Sequence, residues 1–316
     1  MRPKFKWHLY KKVLGPILIS LIGFYSIYSA LLSSTFITYY CEEECNVQLW
    51  ADPIPPEDSQ IVAYIRENFL QNQQNVVLHQ LTQSDIDGLP WREVGGWHLI
   101  LDVIQRTFAN LREGFFVEVG AGDGVFLSLT SWLEKEMNWT GLLVEPRFQP
   151  FQEMRRHRKA AAAQVCVSDV PYNKKEKFWQ PKNTEGMQGQ FQKIAEGKST
   201  LLHYVAEEDH ELGQVTLVPC FTLDAVLGAA NISQKTRIDF MVLNTMGGEN
   251  EILETLTQRE ILMLLVHTRQ KDRAILNALR LNLRLYDDVP LRISDFYFFI
   301  NLKVDIIKKK KPNIDL

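Results

Sequence analysis

"GFFVEVGAGDG" (residues 114–124) decides the fold. Its first part, Phe115 to Val119, is apolar and aromatic around one acid, as in a strand covered on both faces. Glycines follow at 120, 122 and 124. Glycine permits the positive-φ turn and the close backbone approach that a bound nucleoside needs. The spacing, Glu118-Val119-Gly120-Ala121-Gly122-Asp123-Gly124, is acid-x-Gly-x-Gly-x-Gly and not the G-x-G-x-x-G of dinucleotide folds. A dinucleotide needs a helix N-terminus for its pyrophosphate. S-adenosylmethionine has none, and its amino-acid portion and cationic sulfur suit a tight turn bearing Glu118 and Asp123.

Outward from this turn, strands and helices alternate. Helix over 126–137, strand "GLLVE" (141–145), helix over about 148–159 and strand "AQVCV" (163–167) come first. Strand "IDFMVLN" (238–244), helix "ENEILETL" (249–256), strand "ILMLLVH" (261–267) and helix "DRAILNALRL" (272–281) follow, and "LRLYD" (283–287) and "FYFFINL" (296–302) finish the sheet. Two amphipathic helices precede it: one presents Ile61, Tyr64, Ile65 and Phe69 on one face, the other spans 98–111. Asp58 or Ser59 is placed to cap the first. Apolar strands separated by amphipathic helices predict a Rossmann-like α/β fold with a mostly parallel sheet, which binds ligands at the carboxyl ends of its strands. Glu145 ends the second strand, where a carboxylate can accept from both ribose hydroxyls, and Asp169 follows the third, within reach of an adenine amine. The alternative is that the glycines make a turn and the acids are solvated. The polar stretch 171–214 is too long for an ordinary connection and reads as a cap over the site or a surface for a partner.

The run "GFFVEVGAGDGVFLSLTSWLEKEMNWTGLLVEPRFQPFQEMRRHRKAAAAQVCVSD" resembles the FkbM-type methyltransferase domain, and more narrowly is similar to the arthropod Star and Star-like proteins. The resemblance covers roughly 60–305. It implies a seven-stranded S-adenosylmethionine-dependent methyltransferase fold, with Glu118, Gly120, Gly122, Asp123, Gly124, Glu145 and Asp169 around the cofactor. It also implies a single-pass type II membrane protein that moves cargo such as EGF-like growth factor precursors from the endoplasmic reticulum to the Golgi.

One hallmark departs from the family. The fourth strand should end in D-x-E-G-x-E; here it ends in Asn244-Thr245-Met246-Gly247-Gly248-Glu249. An amide is no base near neutral pH, a thioether is a weak acceptor, and only Glu249 survives. Losing a positioned base lowers a rate by roughly 10²–10⁴. A metal site would lose its carboxylates as well, and none is expected. His267, at the end of the fifth strand, is the candidate substitute base, against a structural role. Asp239 and Asp295 fall at the wrong edge of the sheet or in uncertain positions. The sequence therefore supports a domain without catalysis, or alternatively an active O-methyltransferase of the secretory lumen; S-adenosylmethionine is the candidate cofactor, with its binding either kept or lost.

The N-terminus sets the expected compartment. Residues 1–12 carry Arg2, Lys4, Lys6, Lys11 and Lys12 and no acid; residues 13–40 carry no charge; Glu42, Glu43 and Glu44 follow. This reads as a cytosolic tail (1–12), a membrane-spanning signal anchor (13–38), a stem (39–59), a lumenal domain (60–305) and a basic tail (306–316). A cleaved signal peptide has a shorter apolar region. Endoplasmic reticulum and Golgi membranes are the expected residence, with endosome and plasma membrane as further stations. Asn138 ("NWT") and Asn231 ("NIS") fit the glycosylation pattern. Cys41, Cys45, Cys166 and Cys220 allow three pairings, and a buried free thiol is the alternative for Cys166. The net charge of −3 gives no argument for a nucleic-acid partner.

Overall fold

The computed structural model describes residues 58–72, 76, 78, 91–182, 184, 186, 187, 189–286 and 295–302. The expected membrane anchor, most of the stem, Cys41, Cys45 and the basic tail lie outside the described residues. Among the described residues no helix is long and apolar enough to cross a membrane.

Helix α1 (Ser59–Asn68) starts at Asp58, whose carboxylate accepts from the Gln60 amide at 2.8 Å. After β1 (Leu70–Gln71) come α2 (Trp91–Phe108), β2 (Phe115–Val119), α3 (Ser131–Met137), β3 (Thr140–Val144), α4 (Phe148–His157) and β4 (Ala161–Ala163). A second group follows: β5 (Cys166–Val167), β6 (Lys174–Pro181), α5 (Gly189–Glu196), β7 (Thr200–Leu201), two 3₁₀ turns and β8 (Gly213–Phe221). The chain then makes α6 (Leu223–Ala229), β9 (Ile238–Leu243), α7 (Glu249–Thr255), β10 (Ile261–His267), α8 (Lys271–Arg280), β11 (Leu283–Leu285) and β12 (Phe296–Asn301).

The main sheet has the order β1-β4-β3-β2-β9-β10-β12-β11. Its five central strands are parallel; β1, β11 and β12 join antiparallel at the flanks. This makes eight strands where seven were expected, the addition being the two-residue β1 on β4. Every residue of β9 and all but the last of β10 are buried, because both faces are covered. On one face Ile100, Ile104 and Phe108 of α2 pack with Phe116, Phe240, Val242, Leu265 and Phe298.

The structure departs from or adds to the sequence reading at several points. The strand at 163–167 is two strands in two sheets: β4 ends at Ala163, and Cys166–Val167 pairs with β8 instead. Residues 171–214, expected as a cap over the site or a surface for a partner, supply most of a second sheet of order β5-β8-β6-β7. The helix expected over 126–137 begins only at Ser131, because carboxylates claim the preceding backbone: Asp123 caps the amides of Val125 and Phe126 (2.9 and 2.7 Å), and Glu118 accepts from Leu129 (3.2 Å) and the Thr130 hydroxyl (2.5 Å). Helix α6, capped by the Thr222 hydroxyl, was not anticipated. Finally, Cys166 and Cys220 form a disulfide that ties β5 to β8, which selects one pairing and excludes a free Cys166 thiol.

Candidate functional site

A cavity of about 1000 Å³ opens where the parallel strands end. Glu118, Gly120, Gly122, Asp123, Glu145 and Asp169 line it, and so do Asn244, Met246 and His267. Gly124 and Glu249 do not: Gly124 sits against Met154 and Arg158 behind the turn, and Glu249 turns back onto its own loop. Asn138 and Asn231 lie elsewhere, both exposed and in left-handed backbone, with the Asn231 side-chain oxygen accepting from Arg66 at 2.9 Å.

The ends of β2 and β9 touch. Gly120 has φ +81°, and a Cβ there would fall 1.9 Å from the Asn244 carbonyl oxygen, so only glycine fits. Beneath the turn, the fully buried Arg158 donates to Glu134 (2.7 Å), the Gly124 carbonyl (2.8 Å), the Ser128 hydroxyl (3.1 Å) and the Thr130 hydroxyl (2.9 Å). Glu118 accepts from the same two hydroxyls. This network fixes the turn and occupies Glu118.

The other three acids are also engaged. Glu145 accepts from the amides of Gly122 (2.9 Å) and Arg147 (3.0 Å) and from the Arg147 guanidinium at Nε (2.7 Å) and Nη2 (3.3 Å). Asp123 pairs with Lys193 of α5. Burial pushes the Asp123 carboxyl up, but Lys193 and the amides of Val125 and Phe126 more than offset this and hold it below the ordinary value. Asp169 meets Lys174 (2.7 Å), His203 (2.8 Å) and Tyr204 (2.9 Å); burial again opposes, Lys174 leads the offset, and the carboxyl is held low. Burial, followed by the Asp169 charge, raises the Tyr204 phenol. Lys193, Lys174, His203 and Tyr204 all come from the second group of elements, so residues 171–214 cap the cavity.

The far side differs. Asn244 and His267 end adjacent parallel strands, one step beyond the paired Leu243 and Val266. Asn244 Oδ1 and His267 Nδ1 are buried and accept or donate no hydrogen bond among the described residues. Burial lowers the His267 pKa, with Asp295 opposing and Arg269 reinforcing, which favours the neutral ring. His267 stacks on Phe296 at 4.6 Å between ring centres. Glu249, the surviving hallmark acid, accepts from the amides of Thr245 (2.7 Å) and Gly247 (3.2 Å) and so shapes the loop; burial raises its pKa. The Tyr204 ring lies against Gly247 and Gly248, leaving no room for a Cβ on Gly247.

Sequence reasoning missed several wall residues. No motif singles out Arg147, Lys193 or Glu196, although Arg147 follows Glu145 by two positions. The sequence pattern puts Asp295 at the wrong edge or in an uncertain position. It immediately precedes β12, whose antiparallel start lies beside the carboxyl end of β10, and it lines the cavity. Asp239 does lie at the opposite end of β9, accepting from the Phe115 amide at 2.9 Å.

The methyltransferase FkbM domain profile matches residues 118–288, more than half of the chain. No curated protein matches. A solved structure, "Human methyltransferase 10 domain containing protein", is similar at 12% identity and a TM-score of 0.29, with 79% of this chain and 96% of that one covered.

Proposed function

This chain belongs to the methyltransferase FkbM domain family, and from that premise we propose that it keeps the fold without the reaction. It acts as a Star-like, single-pass type II membrane protein whose lumenal domain escorts membrane cargo, EGF-like precursors by resemblance, from the endoplasmic reticulum to the Golgi. One observation carries the first half of this reading. Every acid assigned to the cofactor is already bonded within the chain, and the fourth strand presents Asn244 and Met246 to the cavity. As arranged, the residues do not fit S-adenosylmethionine, because Glu145 has no acceptor position left for a ribose. The cap then offers a folded surface beside the cavity. The uncharged run at 13–40 and the Cys166–Cys220 disulfide favour an oxidising, membrane-bound compartment.

The test is depletion and rescue in secretory cells. Export of EGF-like precursors should fall on depletion and recover with the wild-type chain and with Glu145→Gln alike. Unchanged export on depletion, or failure of the folded Glu145→Gln chain to rescue, defeats the proposal.

A second reading, an active S-adenosylmethionine-dependent O-methyltransferase of the lumen, draws on the far side of the cavity. Burial lowers the His267 pKa, and its Nδ1 has no partner among the described residues, as suits a proton acceptor. Labelled methyl transfer from the donor to lumenal glycans or lipids, abolished by His267→Phe, would favour it.

A further inference from the structure

We infer that Arg147 occupies the ribose position of the cleft, so that Glu145 is liganded by the chain's own guanidinium in place of a nucleoside. The inference rests on the cleft being a former nucleoside site, as proposed above, and adds what now fills it. A carboxylate offers about four lone-pair positions. At Glu145 Oε1, the Arg147 amide (3.0 Å) and Nε (2.7 Å) take two; at Oε2, the Gly122 amide (2.9 Å) and Arg147 Nη2 (3.3 Å) take the others. The two amides belong to the turn and the strand end. The two guanidinium bonds fill the side on which two ribose hydroxyls would donate. Both groups present two donors to one carboxylate edge, so one excludes the other.

The substitution is held from above. Arg147 Nη1 donates to the Glu196 carbonyl at the end of α5 at 2.8 Å, and the Glu196 carboxylate is itself held by Gln192 at 2.7 Å. The pair is dry: the side chains of Arg147 and Glu145 are 10% and 3% exposed. A ribose would have to displace a desolvated, bidentate ion pair and break the tie to α5. Lys193 of the same helix holds Asp123. Helix α5 thus sits over two of the acids through cations, one of its own and one it anchors.

Calorimetry on the full-length chain tests this, using adenosine and 2′,3′-dideoxyadenosine, which lacks both hydroxyls. Wild type should bind neither at millimolar ligand, or bind both within twofold of each other. Arg147→Met, which keeps bulk but not the donors, should bind adenosine at least tenfold more tightly than wild type does, and at least tenfold more tightly than the dideoxy compound. A tenfold preference for adenosine in wild type overturns the inference, as does a folded Arg147→Met with no gain or with gain lacking that preference. If Arg147→Met fails to fold by circular dichroism, the wild-type comparison decides alone. The cargo proposal fails or stands by export rescue: absence of gain in Arg147→Met removes Arg147 as the ribose substitute and leaves that proposal untouched.

Discussion

At the glycine-turn side of the cavity, Glu118, Asp123, Glu145 and Asp169 are bonded to Ser128, Lys193, Arg147 and Tyr204 among others, while on the β9–β10 side Asn244 Oδ1 and His267 Nδ1 have no partner among the described residues. The two sides share one sheet edge, one of them closed by the chain's own cations and amides and the other carrying buried polar atoms without a partner among the described residues. Closing the first side took Lys174, Lys193, His203 and Tyr204 from 171–214, and the Tyr204 ring also lies against Gly247 and Gly248 on the fourth-strand side. Burial of an unsatisfied polar atom opposes stability. The contrast therefore teaches that the turn side is built for rigidity, and that the β9–β10 side is where a remaining ligand would gain most.

The largest effect should come from the closed side. Arg158→Met leaves Glu118 and Glu134 buried without their cation, which costs roughly 3–5 kcal/mol. Urea unfolding would read it, and an unchanged midpoint would show that the acids, not the guanidinium, organise the turn. Next, the double change Cys166→Ala with Cys220→Ala frees β5 from β8 across a separation of 54 residues and should lose about 2–5 kcal/mol. Limited proteolysis should then cut first within 171–214, exposing the cap before the main sheet.

Changes on the open side should be smaller and partly of opposite sign. Asn244→Leu removes a buried oxygen that has no partner among the described residues and should raise stability by about 1 kcal/mol, measured by thermal melting. A loss of that size or more would reveal a bond that the amide makes in solution. The smallest effect is a pH dependence at His267. Burial lowers its folded pKa, so its contribution is complete above the ordinary histidine value of about 6.5 and is lost as pH falls through the lower folded value. Melting temperature should fall between pH 7.5 and 5.5, and His267→Phe, which keeps the stack on Phe296, should flatten that slope. Identical slopes would place the titration elsewhere.

Much of the frame was readable from short stretches. The unbroken apolar runs at 115–119, 238–243 and 261–266 are buried strands, and the glycines at 120, 122 and 124 make the turn at the carboxyl edge, all with positive φ. Acids following those strands reach the cavity because parallel strands end on one side. Where the reading failed, the cause was non-local. "AQVCV" looks like one strand, yet the disulfide and β8 pull its second half into another sheet. Asp295 looked misplaced until β12 proved to run antiparallel to β10.

Sequence by itself determined the main apolar strands of the large sheet, the glycine turn, the replaced hallmark at Asn244 and Met246, and the family, because each depends on residue type and spacing over short distances. Only the tertiary structure decided what those acids hold. Lys193 reaches Asp123 from 70 positions away and Arg147 reaches the Glu196 carbonyl across 49, contacts fixed by how α5 packs over the sheet edge. A carboxylate's position can be read from the end of its strand, but its partner depends on which distant side chain the fold brings within hydrogen-bonding distance.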